Sequence, residues 1–181
     1  MKLAFKKLNA DAIIPVRATA QSAGLDLCAC INAQTTENLT YPSVNSPTGC
    51  LPLAYKDPKT DEWYLQIQPH ATVLVPTGLA VAPIEYDTES GNDVVLLVYA
   101  RSGLSTKHGI NLANSVGVVD SDYRGEVKVA LHNNTDIVYN VKHGERIAQM
   151  VVTPVLLPET IEVDELSVTE RGEGGFGSSG K

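Results

Sequence analysis

The sequence predicts an all-β fold, built as a barrel or a jelly roll with one short helix. Short runs rich in valine, isoleucine, leucine and tyrosine alternate with turn residues, which is the pattern of many short strands. No long window repeats its apolar residues with the period of a helix. At 181 residues, 43% of them hydrophobic, the chain is long enough for one domain around a single core.

Each predicted element lies between turn residues. The predicted strands are residues 25–31, 72–75, 79–84, 94–99, 116–119, 126–131 and 147–152. One helical turn is expected at residues 102–108, whose sequence is SGLSTKH, with Ser102 as its N-terminal cap. We expect these elements to form a single domain over residues 1–170.

Residues 32–68 differ in composition from the rest of that domain. They hold four prolines, and only residues 63–67 alternate like a strand. An ordered loop of that length is uncommon in a compact domain and is usually functional or disordered. We expect an elaborated loop or a hairpin insertion at this position.

Charge and apolar run length exclude two classes of partner. The formal net charge is −7, whereas proteins that bind nucleic-acid polymers carry a basic surplus. No apolar run approaches the length of a transmembrane helix. Lys6 and Lys7 interrupt the N-terminal apolar stretch that a secretory signal needs. We expect a cytoplasmic protein with no nucleic-acid and no membrane partner.

The cysteines and histidines show no recognisable metal pattern. Cys28, Cys30 and Cys50 are an odd number without zinc-site spacing, and the four histidines are equally scattered. Buried or free thiols are favoured over disulfides and metal ligands.

The glycine-rich C-terminal segment, RGEGGFGSSGK at residues 171–181, carries side chains suited to nucleotide binding. It matches the dinucleotide pattern GxGxxG and most of the P-loop pattern, but no predicted helix follows either match. A flexible segment of this kind can close over a nucleotide, with Arg171 on the phosphates and Phe176 on a base. The alternative is a solvated glycine and serine terminus.

A predicted hairpin at residues 114–126 carries the best candidate for a general base. Asp120 directly follows an apolar strand, where partial desolvation suits proton abstraction, whereas Asp122 lies nearer the tip and should be solvated. Hairpin tips also favour aspartate for turn geometry alone.

Four other polar residues, at three places in the chain, interrupt predicted strands or follow them. Arg101 and Ser102 stand at a strand-to-helix junction whose guanidinium, hydroxyl and amides suit an oxyanion. Asp26 lies within an apolar run, either as a magnesium ligand or as an edge-strand residue facing solvent. Gln149 needs partners in its apolar strand, and a structural role in the sheet is the simpler interpretation.

Taken in order, the segments SAGLDL, ARSGLSTKHGI, NSVGVVDSDYRGE, ERIAQMVV and RGEGGFGSSG resemble the five ordered motifs of the trimeric dUTPase family. The resemblance covers residues 13–180 and leaves residues 32–68 and 86–92 as additions. It implies an all-β, jelly-roll-like subunit with a flexible lid at residues 171–181. It also implies a homotrimer, in which the lid of one subunit closes a site made by the others.

The reaction that the resemblance implies is hydrolysis of dUTP to dUMP and pyrophosphate with Mg²⁺. This activity would limit uracil incorporation into DNA and supply dUMP for dTMP synthesis. Asp120 would activate the water that attacks the α-phosphorus, and Arg101 would steady Asp120. Gln149 would contact the phosphates or that water, and Asp26 would bind Mg²⁺ through water.

Substrate recognition is implied for the hairpin, the short helix and the lid. Tyr123 would pack under the deoxyribose and leave no room for a 2′-hydroxyl. Arg171 and Ser178 would reach the γ-phosphate, and Phe176 would cover the uracil. The implied substrate-binding residues are Ser102, Gly103, Asn114, Gly117, Tyr123, Arg171, Phe176, Gly177 and Ser178.

Two other functions stay open at this point. A related dCTP deaminase shares the fold but would need a glutamate positioned at the cytosine ring, and Asp120, Tyr123 and the lid favour the uracil nucleotide. A nucleotide-gated regulatory protein could instead bind a protein partner through residues 32–68.

Overall fold

The computed structural model describes residues 1–37, 39, 53–85 and 92–175. Strands dominate these residues, and the two helices are short. The elements are β1 (Lys2–Lys7), β2 (Leu25–Cys28), α1 (Ala33–Glu37), β3 (Ala54–Lys56), β4 (Trp63–Ile67), β5 (Thr72–Pro76), β6 (Leu79–Ile84), β7 (Asn92–Ala100), α2 (Ser102–His108), β8 (Ile110–Leu112), β9 (Gly117–Val119), β10 (Lys128–Asn133), β11 (Tyr139–Lys142) and β12 (Arg146–Leu156).

The strands form four antiparallel sheets. The four-stranded sheet has the order β2-β12-β7-β9, and the two three-stranded sheets have the orders β5-β10-β8 and β11-β4-β3. β1 and β6 pair as a separate ribbon. The longest pairing joins β12 to β7 from Ala148 opposite Ala100 to Leu156 opposite Asn92. This long pair is the frame on which the candidate site is built.

One hydrophobic cluster takes side chains from all four sheets. Leu65 of β4, Val75 of β5 and Leu96 of β7 are fully buried in it, and Val81 of β6 is 3% exposed. Alternating residues of each strand point inward, so every sheet contributes one apolar face. The predicted all-β class is confirmed by this arrangement.

The segment 32–68 is more closely tied to the core than predicted. The expected hairpin is present, since β3 pairs with β4, but β4 also pairs with β11. Leu65 and Ile67 are 0% exposed within the main cluster, because alternation along β4 directs both side chains inward. Residues 38 and 40–52 lie outside the described residues.

The predicted strand positions agree with the observed strands, with a few differences. β6 has the predicted bounds, and the strand predicted at residues 25–31 ends at Cys28. The prediction missed β1, β8, β11 and α1, and it gave no bounds for β3 within the expected hairpin. The helical turn at residues 102–108 is confirmed, but Ser102 is its first residue rather than its cap. Arg101 is the N-cap and gives the helix no side-chain hydrogen bond.

No helix within the described ranges is both long enough and apolar enough to cross a bilayer. Cys28 and Cys30 are buried free thiols, as predicted. Cys50 lies outside the described residues.

The two buried thiols should resist alkylation in the folded protein. Burial, followed by the nearby Asp26 carboxylate, raises the pKa of Cys28, and burial raises the pKa of Cys30 to about 11. Because the thiolate is the nucleophile, iodoacetamide at pH 8 should react far more slowly with the native chain than with the urea-unfolded chain. A Cys50→Ser background removes the third thiol from the measurement.

The same shift predicts a loss of stability at alkaline pH. Above the ordinary thiol pKa of 9.0, the unfolded chain releases these protons while the folded chain retains them. The free energy of unfolding should therefore fall as the pH rises from about 9 to 11. A Cys28→Ala/Cys30→Ala variant should show a shallower fall over that interval. An equal slope in both proteins would contradict the assignment.

Candidate active site

The first part of the site is a polar row across three strands. Asp26 of β2 lies directly opposite Gln149 of β12, which in turn lies opposite Tyr99 of β7. Directly opposed residues of antiparallel strands project to the same face. The register therefore brings the segments SAGLDL and ERIAQMVV together next to the end of β7, where ARSGLSTKHGI begins.

Asp26 joins two arginines, and we call Asp26, Arg101 and Arg146 the arginine–aspartate cluster. The Oδ1 atom of Asp26 lies 3.1 Å from Nε of Arg101, and its Oδ2 atom lies 3.1 Å from Nη1 of Arg146. The Nη1 of Arg101 also donates to the backbone carbonyl oxygen of Arg146 at 3.1 Å. β2 is an edge strand of its sheet, but the side chain of Asp26 is only 17% exposed, so it does not face solvent.

Gln149 finds the partner that its position requires. Its Nε2 donates to the carbonyl oxygen of Ala100 at 3.1 Å. A Cβ atom on Gly24 would stand 2.9 Å from Oε1 of Gln149, which is closer than side chains tolerate. The glycine of SAGLDL therefore allows the close approach of β2 to the glutamine.

The start of α2 is open to a ligand. Ser102 and Gly103 are both exposed, and a Cβ atom on Gly103 would meet no atom within 4 Å. They directly follow Arg101, so their backbone groups stand beside the arginine–aspartate cluster. This neighbourhood combines guanidinium groups, a hydroxyl and exposed backbone, which together suit phosphate oxygens.

The second part of the site is the loop at residues 120–127, which we call the β9–β10 loop. The hairpin predicted at residues 114–126 does not form, because β9 pairs with β7 whereas β10 pairs with β5 and β8 in another sheet. Asp120 and Tyr123 are exposed in the β9–β10 loop, Tyr123 to 46%. Arg124 donates through Nη1 to the carbonyl oxygens of Ser121 at 2.7 Å and Tyr123 at 3.0 Å. The Ser121 hydroxyl donates to Oδ2 of Asp93 at 2.7 Å. These bonds hold the loop in one conformation.

Tyr123 is held at the hydroxyl end of its ring. Its hydroxyl donates to the carbonyl oxygen of Glu126 at 3.2 Å, and any side chain at Gly125 would collide with that end of the ring. The start of β9 is also closely packed, because a Cβ atom on Gly117 would lie 3.1 Å from Cβ of Val98. Asn114 is exposed in the turn before β9.

One chain does not bring the two parts together. Val119 pairs with Leu96 near the middle of β7, and Asp120 lines a groove with Val94 and Val95. Arg101 follows the opposite end of β7, six residues beyond Val95, which is about 20 Å along a strand. Within the chain Arg101 contacts Asp26, not Asp120, and the expected partial desolvation of Asp120 is absent.

The C-terminal segment is only partly described. Residues 157–175 carry no helix or strand. Arg171 is exposed, and its Nε donates to the carbonyl oxygen of Gly174 at 2.7 Å. Phe176, Gly177 and Ser178 lie outside the described residues, so their expected roles stay predictions.

Sequence reasoning missed Arg146 as a site residue. The structure gives it two contacts in the cluster, one through its guanidinium and one through its carbonyl oxygen. No distinct signal in the sequence marks it, because Ile147 and Ala148 stand in a strand where Met150, Val151 and Val152 are adjacent apolar residues too. In the structure, the successive burial of Ile147 and Ala148 indicates a β-bulge.

Known proteins resemble this chain along its whole length. The sequence model of the dUTPase family matches residues 62–180. A deoxyuridine 5'-triphosphate nucleotidohydrolase from Nautilia profundicola is 41% identical over 181 residues, covering 100% of both chains. A relative of the same name from Neisseria meningitidis serogroup A is 41% identical over 168 residues, or 93% of this chain and 88% of its own. The segment 32–68 is thus included in the alignment with the first relative.

The fold is also that of solved structures. A dUTPase of Staphylococcus bacteriophage 80alpha, solved with dUPNHPP, has a TM-score of 0.71 and 26% sequence identity and covers 99% of both chains. A dUTPase of phage phi11 of S. aureus has a TM-score of 0.65 and 19% identity, over 93% of this chain and 100% of its own.

Proposed function

Since this chain belongs to the dUTPase family and hydrolyses dUTP, we propose that a water activated by Asp120 attacks the α-phosphorus and releases dUMP and pyrophosphate. One observation carries this proposal. Asp120 stands exposed in the β9–β10 loop, which Ser121 and Arg124 hold in place, beside a tyrosine held at its hydroxyl end. A carboxylate held in this way can accept a proton from a positioned water.

We propose a homotrimer whose sites are shared between subunits. The separation of Asp120 from the arginine–aspartate cluster supports this, because neither part is complete alone. Exposed apolar side chains near the β9–β10 loop and along the C-terminal segment suit burial by another subunit. These include Val118 at 64%, Leu156 at 78%, Leu166 at 88% and Val168 at 99% exposure.

The binding steps can be assigned to the chain's own residues. Arg101 and the exposed start of α2, at Ser102 and Gly103, face the phosphate oxygens, where charge develops as the α-phosphorus is attacked. Gln149 retains its Oε1 atom to orient the attacking water. Tyr123 stacks under the sugar and excludes a 2′-hydroxyl, while Asn114 and Gly117 contact the uracil.

The described side chains suit a magnesium ion that keeps most of its water ligands. No group of three or more His, Cys, Asp or Glu side chains within the described chain could hold a metal ion. Asp26 accepts one arginine bond on each oxygen, which leaves lone pairs for metal-bound water. An ion that keeps its waters and shares the triphosphate oxygens suits such a single carboxylate. When bound, Mg²⁺ neutralises phosphate charge, and Asp26 is the residue that would hold it.

A substrate panel tests the proposed function. With Mg²⁺ present, dUTP should release pyrophosphate rapidly, whereas UTP should react slowly because Tyr123 excludes the ribose hydroxyl. dTTP and dCTP serve as base controls, and an ammonia assay on dCTP tests the deaminase alternative. Ammonia release from dCTP, or equal rates with dUTP and UTP, would contradict the proposal.

Residues 171–181 are proposed as a lid over the nucleotide of a neighbouring subunit, with Arg171 and Ser178 at the γ-phosphate and Phe176 over the base. Removing them should reduce turnover strongly and change the melting temperature little, because residues 171–173 are exposed and a Cβ atom on Gly172 or Gly175 would meet no atom within 4 Å. Pyrophosphate release and thermal unfolding check the two effects. A truncated chain with full activity would refute the lid.

The cellular role follows from the reaction. We propose that the enzyme limits uracil incorporation into DNA and supplies dUMP in the cytoplasm. Binding of a protein partner through residues 32–68 stays a prediction, since much of that segment lies outside the described residues. Deleting residues 40–52 and measuring partner capture by pull-down would test it.

A further inference from the structure

We propose that Arg146 is a positioning residue for dUTP hydrolysis, acting through Asp26 to orient the guanidinium of Arg101 toward the phosphates. The inference rests on the proposed function, because it assigns Arg101 to the phosphates. It also gives Asp26 a task within the chain that is separate from magnesium.

A β-bulge aims Arg146 at the cluster. β12 pairs Arg146 with Cys28 and Ala148 with Leu27, so two residues of β12 span one step of β2. In a regular strand, residues 146 and 149 would project to opposite faces, since they are three apart. The bulge adds one residue, and Arg146 therefore shares a face with Gln149 and Asp26.

Burial confirms this assignment of faces. Ile147 and Ala148 are adjacent in sequence, yet both lie in the hydrophobic cluster at 1% and 0% exposure. Arg146 is 54% exposed, on the face away from that cluster. Without the bulge, its guanidinium would point into the core, where an unpaired charge is strongly unfavourable.

The contacts form a closed ring through Asp26. Arg146 holds Oδ2 of Asp26, which leaves Oδ1 directed at Nε of Arg101. The carbonyl oxygen of Arg146 accepts from Nη1 of the same guanidinium. The plane of the Arg101 guanidinium is thus fixed at two atoms, and its remaining N–H groups are presented in one direction.

The charge balance favours an anionic ligand beside this ring. Two guanidinium groups share one carboxylate, so the cluster keeps a net positive charge. Cys28 lies next to it, and the two arginines oppose the rise in the pKa of its thiol that burial and Asp26 produce. A triphosphate that approaches the open start of α2 therefore meets a positive surface with a fixed donor geometry.

The decisive variant is Arg146→Gln, which removes the charge and leaves a shorter polar side chain. Turnover of dUTP should fall about 10- to 100-fold, because a loosened Arg101 loses its alignment with the transition state. The KM for dUTP should change little, and Arg146→Lys should recover part of the loss. Lys142→Gln breaks an exposed ion pair with Glu62 elsewhere on the surface, and it should match the unmodified enzyme.

Two further measurements separate positioning from other roles. In the Arg146→Gln/Asp26→Asn double variant, turnover should fall no further than with Asp26→Asn alone, as expected for residues that act as a unit. The Nε–H nuclear magnetic resonance signal of Arg101, identified by its absence in Arg101→Lys, should shift or vanish in Arg146→Gln without any ligand.

Several results would overturn the inference. A raised KM with unchanged turnover would make Arg146 a direct phosphate ligand, and multiplicative losses in the double variant would make Asp26 and Arg146 independent. Recovery of full turnover by excess Mg²⁺ would assign the effect to the metal. Failure of the proposed function would be seen as absent dUTP turnover in the unmodified chain, whereas the Arg101 signal needs no substrate.

Discussion

Replacing Asp120 by asparagine should lower dUTP turnover by roughly 10²- to 10⁴-fold, the range that a general base contributes. Asparagine has nearly the same shape as aspartate but cannot take a proton from water at neutral pH. Asp120 is exposed in the β9–β10 loop, and the bonds that hold this loop come from Ser121, Arg124 and Tyr123. The substitution should therefore leave folding intact.

Binding should survive this substitution. Calorimetry with a non-hydrolysable dUTP analogue should give a dissociation constant close to that of the unmodified enzyme, because Asp120 acts on the water. Asp122→Asn is the matched control, since Asp122 is an equally exposed carboxylate two residues away in the same loop. Its turnover should stay near the unmodified value. Substantial hydrolysis by purified Asp120→Asn would remove Asp120 as the base.

Mixing two inactive variants should restore activity if sites are shared between subunits. Asp120→Asn inactivates the loop part of a site and Arg101→Gln inactivates the arginine part, which lies about 20 Å away in the same chain. In randomly mixed trimers, one site in four should combine an intact β9–β10 loop with an intact arginine–aspartate cluster. Co-refolded variants should therefore reach about a quarter of the unmodified turnover.

The mixing experiment has an internal control. Two variants of the same part, Asp26→Asn and Arg101→Gln, lie in contact within one chain, so they should not complement one another. The activities of the separate variants give the baseline. Equal activity in the mixed and separate samples would indicate that each chain assembles its own complete site.

The sequence predicted the fold where alternation was strong. β4 and β6 have the predicted bounds because alternating apolar residues in a run of five or six decide between strand and loop. β1 was missed because lysines flank its apolar centre, and β11 because Val141 is its only buried residue. Both strands are stabilised by pairing with a strand distant in sequence, which the local pattern of apolar residues does not indicate.

The sequence indicated which polar residues a site could use, but not which of them lie in contact with one another. Asp26 and Arg146 are 120 residues apart in sequence, and only strand pairing brings them into contact. The resemblance to dUTPases implied that Arg101 steadies Asp120, and that role stays a prediction. In the folded chain the nearer carboxylate is Asp26, because β2 and β7 both border β12.

Because of the bulge at Ile147, the arginine–aspartate cluster depends on how many residues separate Arg146 from Gln149 more than on which residues these are. Ile147 can change to another apolar residue at the expense of some packing alone. Adding one residue between Arg146 and Gln149 would put the two side chains out of phase and turn the arginine inward, whereas removing Ile147 would leave them two residues apart, on one face of a regular strand. Relatives that share this site should therefore vary among apolar side chains at this position but carry no added residue between the arginine and the glutamine.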